Sequence, residues 1–208
     1  MSKNKWIVCG YYTDNTPYEK IINEYLKLSC IEHEIPFTIA GRPNQGDWYK
    51  NTAYKPMFAL EMLNSIPKDK CIVLLDADST VEKYPILFDE IPEEYDIAFH
   101  TLDWNSWYGH NNNIKEVLTG TMFLRNNKKV KDLCYEWHII AKNTNTWEQK
   151  VLQKLLDKRD IKCYDLPIEY CYMKTRPRGQ EPLVKVDPVI LHYQASRILK
   201  RSVRKENR

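Results

Sequence analysis

The stretch CIVLLDADSTV, Cys71 to Val81, constrains the fold more than any other part of the chain. The unbroken apolar run from Ile72 to Leu75 predicts a strand covered on both faces, because a strand with one wet face alternates apolar and polar side chains. Such double cover belongs to α/β proteins, where helices lie above and below a largely parallel sheet. The run then ends on two aspartates, Asp76 and Asp78, one residue apart. Ligands of open α/β sheets bind at the carboxyl ends of the strands, so acids at that edge mark a binding position.

The rest of the chain fits the same class. WIVCGYY (6–12) opens it as a buried strand, and TPYEKIINEYLKLSC (16–30) switches to a helical period. Thr16 can cap that helix, Pro17 suits its first position and Glu19 completes a capping box, with Ile21, Ile22, Tyr25, Leu26 and Ser29 facing inward. PFTIAG (36–41) is a second strand, the polar loop RPNQGDWYKNTAY follows, and KPMFALEMLNSIP is a helix begun by Pro56. In the second half YDIAFHTLDW and LTGTMFLRN read as strands. KKVKDLCYEWHIIAK and TWEQKVLQKLLDK read as amphipathic helices, the latter with a capping box of Thr146 and Gln149. CYDLP and VILHYQ are short strands. No repeat or low-complexity linker divides the 208 residues, so one α/β domain with a mostly parallel central sheet is expected over 1–208.

With 43% hydrophobic and 28% charged residues the composition is that of an ordinary globular protein. No apolar run approaches the roughly 18 residues of a membrane span, and the N-terminal MSKNKWIVCGYY has too short an apolar stretch for an export signal. Cys9, Cys30, Cys71, Cys134, Cys163 and Cys171 are scattered without a CxxC pair, which predicts free thiols in a reducing, cytoplasmic compartment and no zinc site. A net charge of +3 is too small to demand a nucleic-acid partner, although SRILKRSVRKENR gathers Arg197, Lys200, Arg201, Arg204, Lys205 and Arg208. Such a basic tail is either simply solvated or touches an anionic acceptor or surface.

Aspartates at i and i+2 of a straight strand point to opposite faces, so both serve one ligand only if the chain turns, which the small Ala77 permits. Mg²⁺ or Mn²⁺ takes a few carboxylates together with phosphate oxygens, so Asp-x-Asp suits a metal bridging protein and diphosphate. The bland alternative is a loop whose acids cap the next turn. VLLDADST also matches the hhhhDxDx[TV] strand of haloacid-dehalogenase-type phosphatases, with Asp76 as nucleophile followed by Asp78 and Thr80. Against that match, two strands precede the motif here, and no second acidic motif follows to hold magnesium.

The order of motifs resembles the type-A-fold glycosyltransferases of the nucleotide-diphospho-sugar transferase group. VCGYYTDNTPYEKIINEYLKLS resembles their first strand and nucleotide loop, and YKPMFALEML the helix preceding the Asp-x-Asp strand. LTGTMFLRN resembles the strand lining the sugar pocket, and VILHYQASR the C-terminal metal-histidine segment. The resemblance implies a Rossmann-like nucleotide-sugar half over about 1–100, a half completing the acceptor and metal sites over about 101–194, and a basic tail over 195–208. It implies transfer of a sugar from a nucleotide-diphosphate-sugar, a UDP-sugar first, to a hydroxyl of a saccharide, with a nucleic-acid acceptor kept open. Asp78 would be the direct metal ligand, Asp76 would hold metal or ribose, and His192 would complete the site. Imidazole favours Mn²⁺ over Mg²⁺. Tyr11, Tyr12 and Thr13 would face the nucleotide and Lys55 the diphosphate. Gly120 would allow close approach of the donor sugar, with Thr119 and Thr121 beside it. Glu148 is the first candidate for the base and Asp103 the second. Trp104, Trp107, Tyr108 and His110 form an aromatic loop suited to acceptor recognition. A catalytically inert nucleotide- or carbohydrate-binding module is the remaining alternative.

Overall fold

The computed structural model describes residues 5–144 and 146–195. Nine strands are found among them: β1 (Trp6–Thr13), β2 (Phe37–Arg42), β3 (Cys71–Leu75), β4 (Ser79–Val81), β5 (Ile97–Asp103), β6 (Lys115–Arg125), β7 (Cys163–Asp165), β8 (Tyr172–Met173) and β9 (Ile190–His192). Six form the main sheet in the order β2-β1-β3-β6-β5-β7, and β4-β9-β8 make a small second sheet. β1 pairs parallel with both β2 and β3, and β5 with β7, whereas β6 runs antiparallel between β3 and β5.

The double cover predicted for β3 is present. Ile72 and Leu74 enter one apolar cluster with Phe58, Leu63, Met122, Trp137 and Leu152. Val73 and Leu75, alternating with them, enter the opposite cluster with Trp6, Val8, Ile22, Leu26 and Phe123. The first cluster is closed by the helices Lys55–Ser65, Lys128–Asn143 and Glu148–Leu156, and the second by the helical run Tyr18–Glu32. Helix Lys128–Asn143 buries Val130, Leu133, Cys134, Trp137 and Ala141 at helical spacing, and Asn127 caps it by accepting from Val130 N at 2.9 Å.

Local details differ from the sequence reading. The first helix begins at Tyr18, with Thr16 Oγ1 accepting from Tyr18 N at 3.3 Å, and it widens into a π-helical segment over Asn23–Lys27. The long loop after β2 contains a short helix, Trp48–Thr52, capped by Asp47. The box of Thr146 and Gln149 does not form: Trp147 is the N-cap without a capping side chain, because Gln149 turns inward to β6. The basic tail lies outside the described residues, which end at Ala195. Among the described residues no helix is long and apolar enough to cross a membrane.

Candidate active site

The problem of two aspartates pointing apart is solved by a change of sheet. Asp76 N donates to Gly120 O at 3.0 Å, the last bond of β3 to β6, and Ser79 N then donates back to Asp76 O at 3.1 Å. The turn delivers the chain into β4, where Ser79 pairs with His192 of β9. Asp76, Asp78 and His192 thereby converge, each offering a ligand atom within 4.8 Å of the others.

Each of the three is held differently. Asp78 is 9% exposed, and its Oδ2 accepts from Ala195 N at 2.5 Å. Burial, reinforced by the neighbouring Asp76 charge, pushes its pKa up to about 6. His192 is 2% exposed, and the same desolvation pushes its pKa down to about 4, which keeps the imidazole neutral. Its Nε2 lies 2.9 Å from Thr121 Oγ1. Gly120 sits against the ring: a Cβ there would stand 2.9 Å from His192 Cε1, 3.1 Å from Nδ1 and 3.4 Å from Asp76 Oδ2. The missing side chain is what lets the imidazole and Asp76 share this space.

Lys55 forms the hub of a second cluster. Its buried ammonium contacts Asp76 Oδ1 at 2.7 Å, Glu148 Oε1 at 3.3 Å, Thr119 O at 3.1 Å and Thr119 Oγ1 at 3.2 Å. Burial opposes the charge, but the Asp76 and Glu148 carboxylates outweigh it and raise the pKa, so Lys55 stays protonated. Glu148 is 2% exposed, its pKa raised by burial; Oε1 accepts from Thr119 Oγ1 at 3.0 Å and Oε2 is buried with no partner. Trp137 Nε1 fixes the start of its helix by donating to Glu148 O at 2.7 Å.

These groups line one cavity of about 240 Å³ at the carboxyl edge of β1 and β3. Tyr11, Tyr12, Thr13, Lys55, Asp76, Asp78, Gly120, Glu148 and His192 are all in its wall. Tyr11 is turned toward the helix side, donating to Asn51 O at 3.1 Å. Asp103 is not among the lining residues. It caps helix Trp104–Tyr108, accepting from Asn105 N at 2.8 Å and Ser106 N at 3.4 Å. Of the aromatic loop only Tyr108 reaches the cavity, since Trp107 is buried against Leu102, Leu118, Cys171 and Met173. Sequence reasoning missed Trp48, Glu116, Trp147 and Gln149. Glu116 Oε1 accepts from Gln149 Nε2 at 2.7 Å and its Oε2 from Trp104 Nε1 at 2.8 Å. The signal for Gln149 was its place beside Glu148 in one helical turn.

A largely parallel α/β sheet with an Asp-Asp-His cluster over a cleft at its carboxyl edge defines the type-A glycosyltransferase class. The model of the nucleotide-diphospho-sugar transferase family matches residues 6–203, and the chain belongs to that family; it is a glycosyltransferase. A solved glycosyltransferase involved in glycosylation of the major capsid of PBCV-1 is similar in fold, with a TM-score of 0.64 at 16% identity over 95% of this chain and 98% of that one. Mouse xyloside xylosyltransferase 1 gives 0.54 at 9% over 92% and 98%. The galactosyltransferase LgtC, solved with donor and acceptor sugar analogues, gives 0.52 at 16% over 90% and 86%. No curated protein matches the sequence. Family and fold favour the transferase reading over the phosphatase and the inert module.

Proposed function

We propose that this enzyme moves a sugar from a nucleoside-diphosphate-sugar, a UDP-sugar first, to a saccharide hydroxyl in a reaction that requires Mn²⁺. The carrying observation is the Asp76, Asp78 and His192 cluster. The donor set fits the ion: two carboxylates and one neutral imidazole suit Mn²⁺ better than Mg²⁺. Thr121 at Nε2 leaves Nδ1, on the Gly120 side, as the ring atom for a metal, with Nε2–H donating to Thr121. When bound, the ion supplies positive charge to the departing diphosphate.

The other cavity groups have separable tasks. Among the described residues Lys55 is the one lysine or arginine in the cavity wall, and it already serves Asp76, Glu148 and Thr119. The Asp76, Asp78 and His192 cluster would hold the ion that meets the donor diphosphate. Tyr12 and Thr13 face the nucleotide, whereas the space left by the missing Gly120 side chain is taken by the His192 ring and Asp76 and not by the donor sugar. In the transfer the acceptor oxygen bonds to the anomeric carbon while the bond from that carbon to the diphosphate oxygen breaks, its electron pair leaving with the nucleoside diphosphate. The hydroxyl proton passes to Glu148, whose burial makes it a stronger base and whose Oε2 has no other partner. Six free thiols fit a cytoplasmic protein.

The test is thermal unfolding with UDP, GDP, ADP and CDP, each with and without Mn²⁺. A ligand at a hundred times its Kd stabilises by about 2.7 kcal/mol. Stabilisation by one nucleotide, dependent on Mn²⁺ and lost in Asp78→Ala, is expected. Equal stabilisation of the variant, or none in the parent protein, refutes the reading.

A further inference from the structure

At the cavity wall two tryptophans from distant segments meet. Trp48 opens the short helix after β2 and Trp147 directly precedes Glu148, and their ring centroids lie 6.2 Å apart at 50°. Both rings are half-buried and both line the cavity that holds Asp76 and Gly120. Neither is free to wander. Asp47 caps the Trp48 helix by accepting from Lys50 N at 2.9 Å, and Trp147 O accepts from Lys150 N at 3.0 Å. One peptide bond joins Trp147 to Glu148, which Trp137, Thr119 and Lys55 fix in turn. The backbone of Trp147 is thus positioned relative to the Lys55–Asp76 cluster, and its ring packs on that of Trp48.

We propose that Trp48 and Trp147 form the acceptor subsite of this transferase and that the acceptor is an uncharged sugar residue. The assignment rests on the transferase reading above. Two features select that chemistry. A pyranose has a face of C–H groups that loses water against an indole, and tryptophan offers the largest such surface at little entropic cost. Among the described residues the wall beside the rings carries Asp76, Asp78, Glu116 and Glu148 against one lysine, Lys55, which is already engaged, so a uronate, a phosphorylated sugar or a nucleic-acid backbone meets an excess of carboxylates there. Glu116 and Gln149, joined to each other at 2.7 Å, supply acceptors and donors for hydroxyls at the cavity wall.

Initial rates with UDP-glucose and UDP-galactose in Mn²⁺ test the assignment. The neutral acceptors are methyl β-glucoside, methyl β-galactoside, lactose and cellobiose; methyl β-glucuronide, glucose 6-phosphate and an oligothymidylate are the anionic ones. Transfer to a neutral sugar is expected, with Trp48→Ala and Trp147→Ala raising the acceptor KM at least about tenfold, a loss of 1.4 kcal/mol. The Mn²⁺-dependent thermal shift by UDP should persist in both, and Trp147→Phe should recover most of the affinity. Unchanged acceptor KM in both alanine variants overturns the subsite. Transfer to the oligothymidylate or to the anionic sugars in preference, or to no neutral sugar although UDP still stabilises the protein, overturns the acceptor class. Absence of that stabilisation in the parent protein is the separate failure of the proposed Mn²⁺-dependent use of a UDP-sugar.

Discussion

Gly120→Ala isolates the metal cluster from the fold around it. The new methyl carbon would lie 2.9 Å from His192 Cε1 and 3.1 Å from Nδ1, whereas carbon atoms rest about 3.5–4.0 Å apart, so the ring must retreat by roughly half an ångström or more. It has little room, being 2% exposed, fixed at Nε2 by Thr121 and carried on a strand paired with β4. Metal ligands tolerate displacements of only about 0.2 Å, so the change should weaken Mn²⁺ binding by about 10–100-fold, the range typical when the support of a ligand is disturbed. The fold should suffer less. Overpacking costs about 1–3 kcal/mol, and alanine recovers about 0.5–1 kcal/mol in a strand, where Gly120 has no positive φ to protect. For a chain of this size each kcal/mol shifts Tm by roughly 2–4 °C. Free Mn²⁺ measured by electron paramagnetic resonance gives the affinity, and melting in EDTA gives the stability. A folded variant that binds Mn²⁺ as tightly as the parent would refute His192 as a ligand.

Three further outcomes are expected. Lys55→Met leaves Asp76 and Glu148 facing each other without their cation and should cost about 3–5 kcal/mol in urea unfolding, with Glu148→Gln in the same chain recovering part of it; a loss under about 1 kcal/mol would mean the cluster is not as described. Asp103→Ala should cost about 1 kcal/mol through the lost cap while kcat stays within about twofold, whereas a large loss of kcat would return Asp103 to the chemistry. Cys163 is the exposed thiol and burial of its sulfur raises its pKa to about 11, so its reaction with dithionitrobenzoate should rise about tenfold per pH unit between 7 and 9; a plateau near pH 8.5, where an ordinary thiol levels off, would contradict this.

The sequence made β3 and its acidic edge legible because double burial leaves a one-dimensional trace, an apolar run, and the resemblance ordered the other segments around it. What it left dark depends on pairing between distant residues. β6 reads as a strand, but nothing in LTGTMFLRN says that it runs antiparallel to β3, and that reversal is what sets Gly120 and Thr121 beside Asp76. Asp103, read at the end of a strand, and Glu148, read in a helix, are both base candidates in the sequence. Only the fold shows that Asp103 spends its carboxylate on capping, while Glu148 points into a buried ion cluster. The resemblance assigns Lys55 to the diphosphate, and its burial against Asp76 and Glu148 follows from the approach of β6 and of the Glu148 helix, neither of which is local. Trp48 and Trp147 are separated by nearly half of the chain, so their contact leaves no sequence signal at all.

The identity of the third metal-cluster residue is a matter of register. Successive residues of β9 point to opposite faces, so a slip of one residue would bury Leu191 or Tyr193 where His192 now stands. Pairing of three residues is weak specification, and the structure reinforces it from both ends. Glu82 N donates to Val189 O at 2.9 Å just before β9, and Tyr193 N donates to Asp78 O at 2.9 Å just after it. Lys174 N adds a bond to His192 O at 2.9 Å, and the Tyr193 ring stacks on Tyr25 with centroids 4.5 Å apart. The backbone of Asp78 therefore selects the register of the strand that presents His192, while Ala195 N, two residues further along than Tyr193, orients the Asp78 carboxylate. Two residues proposed to share an ion thus position each other before it arrives.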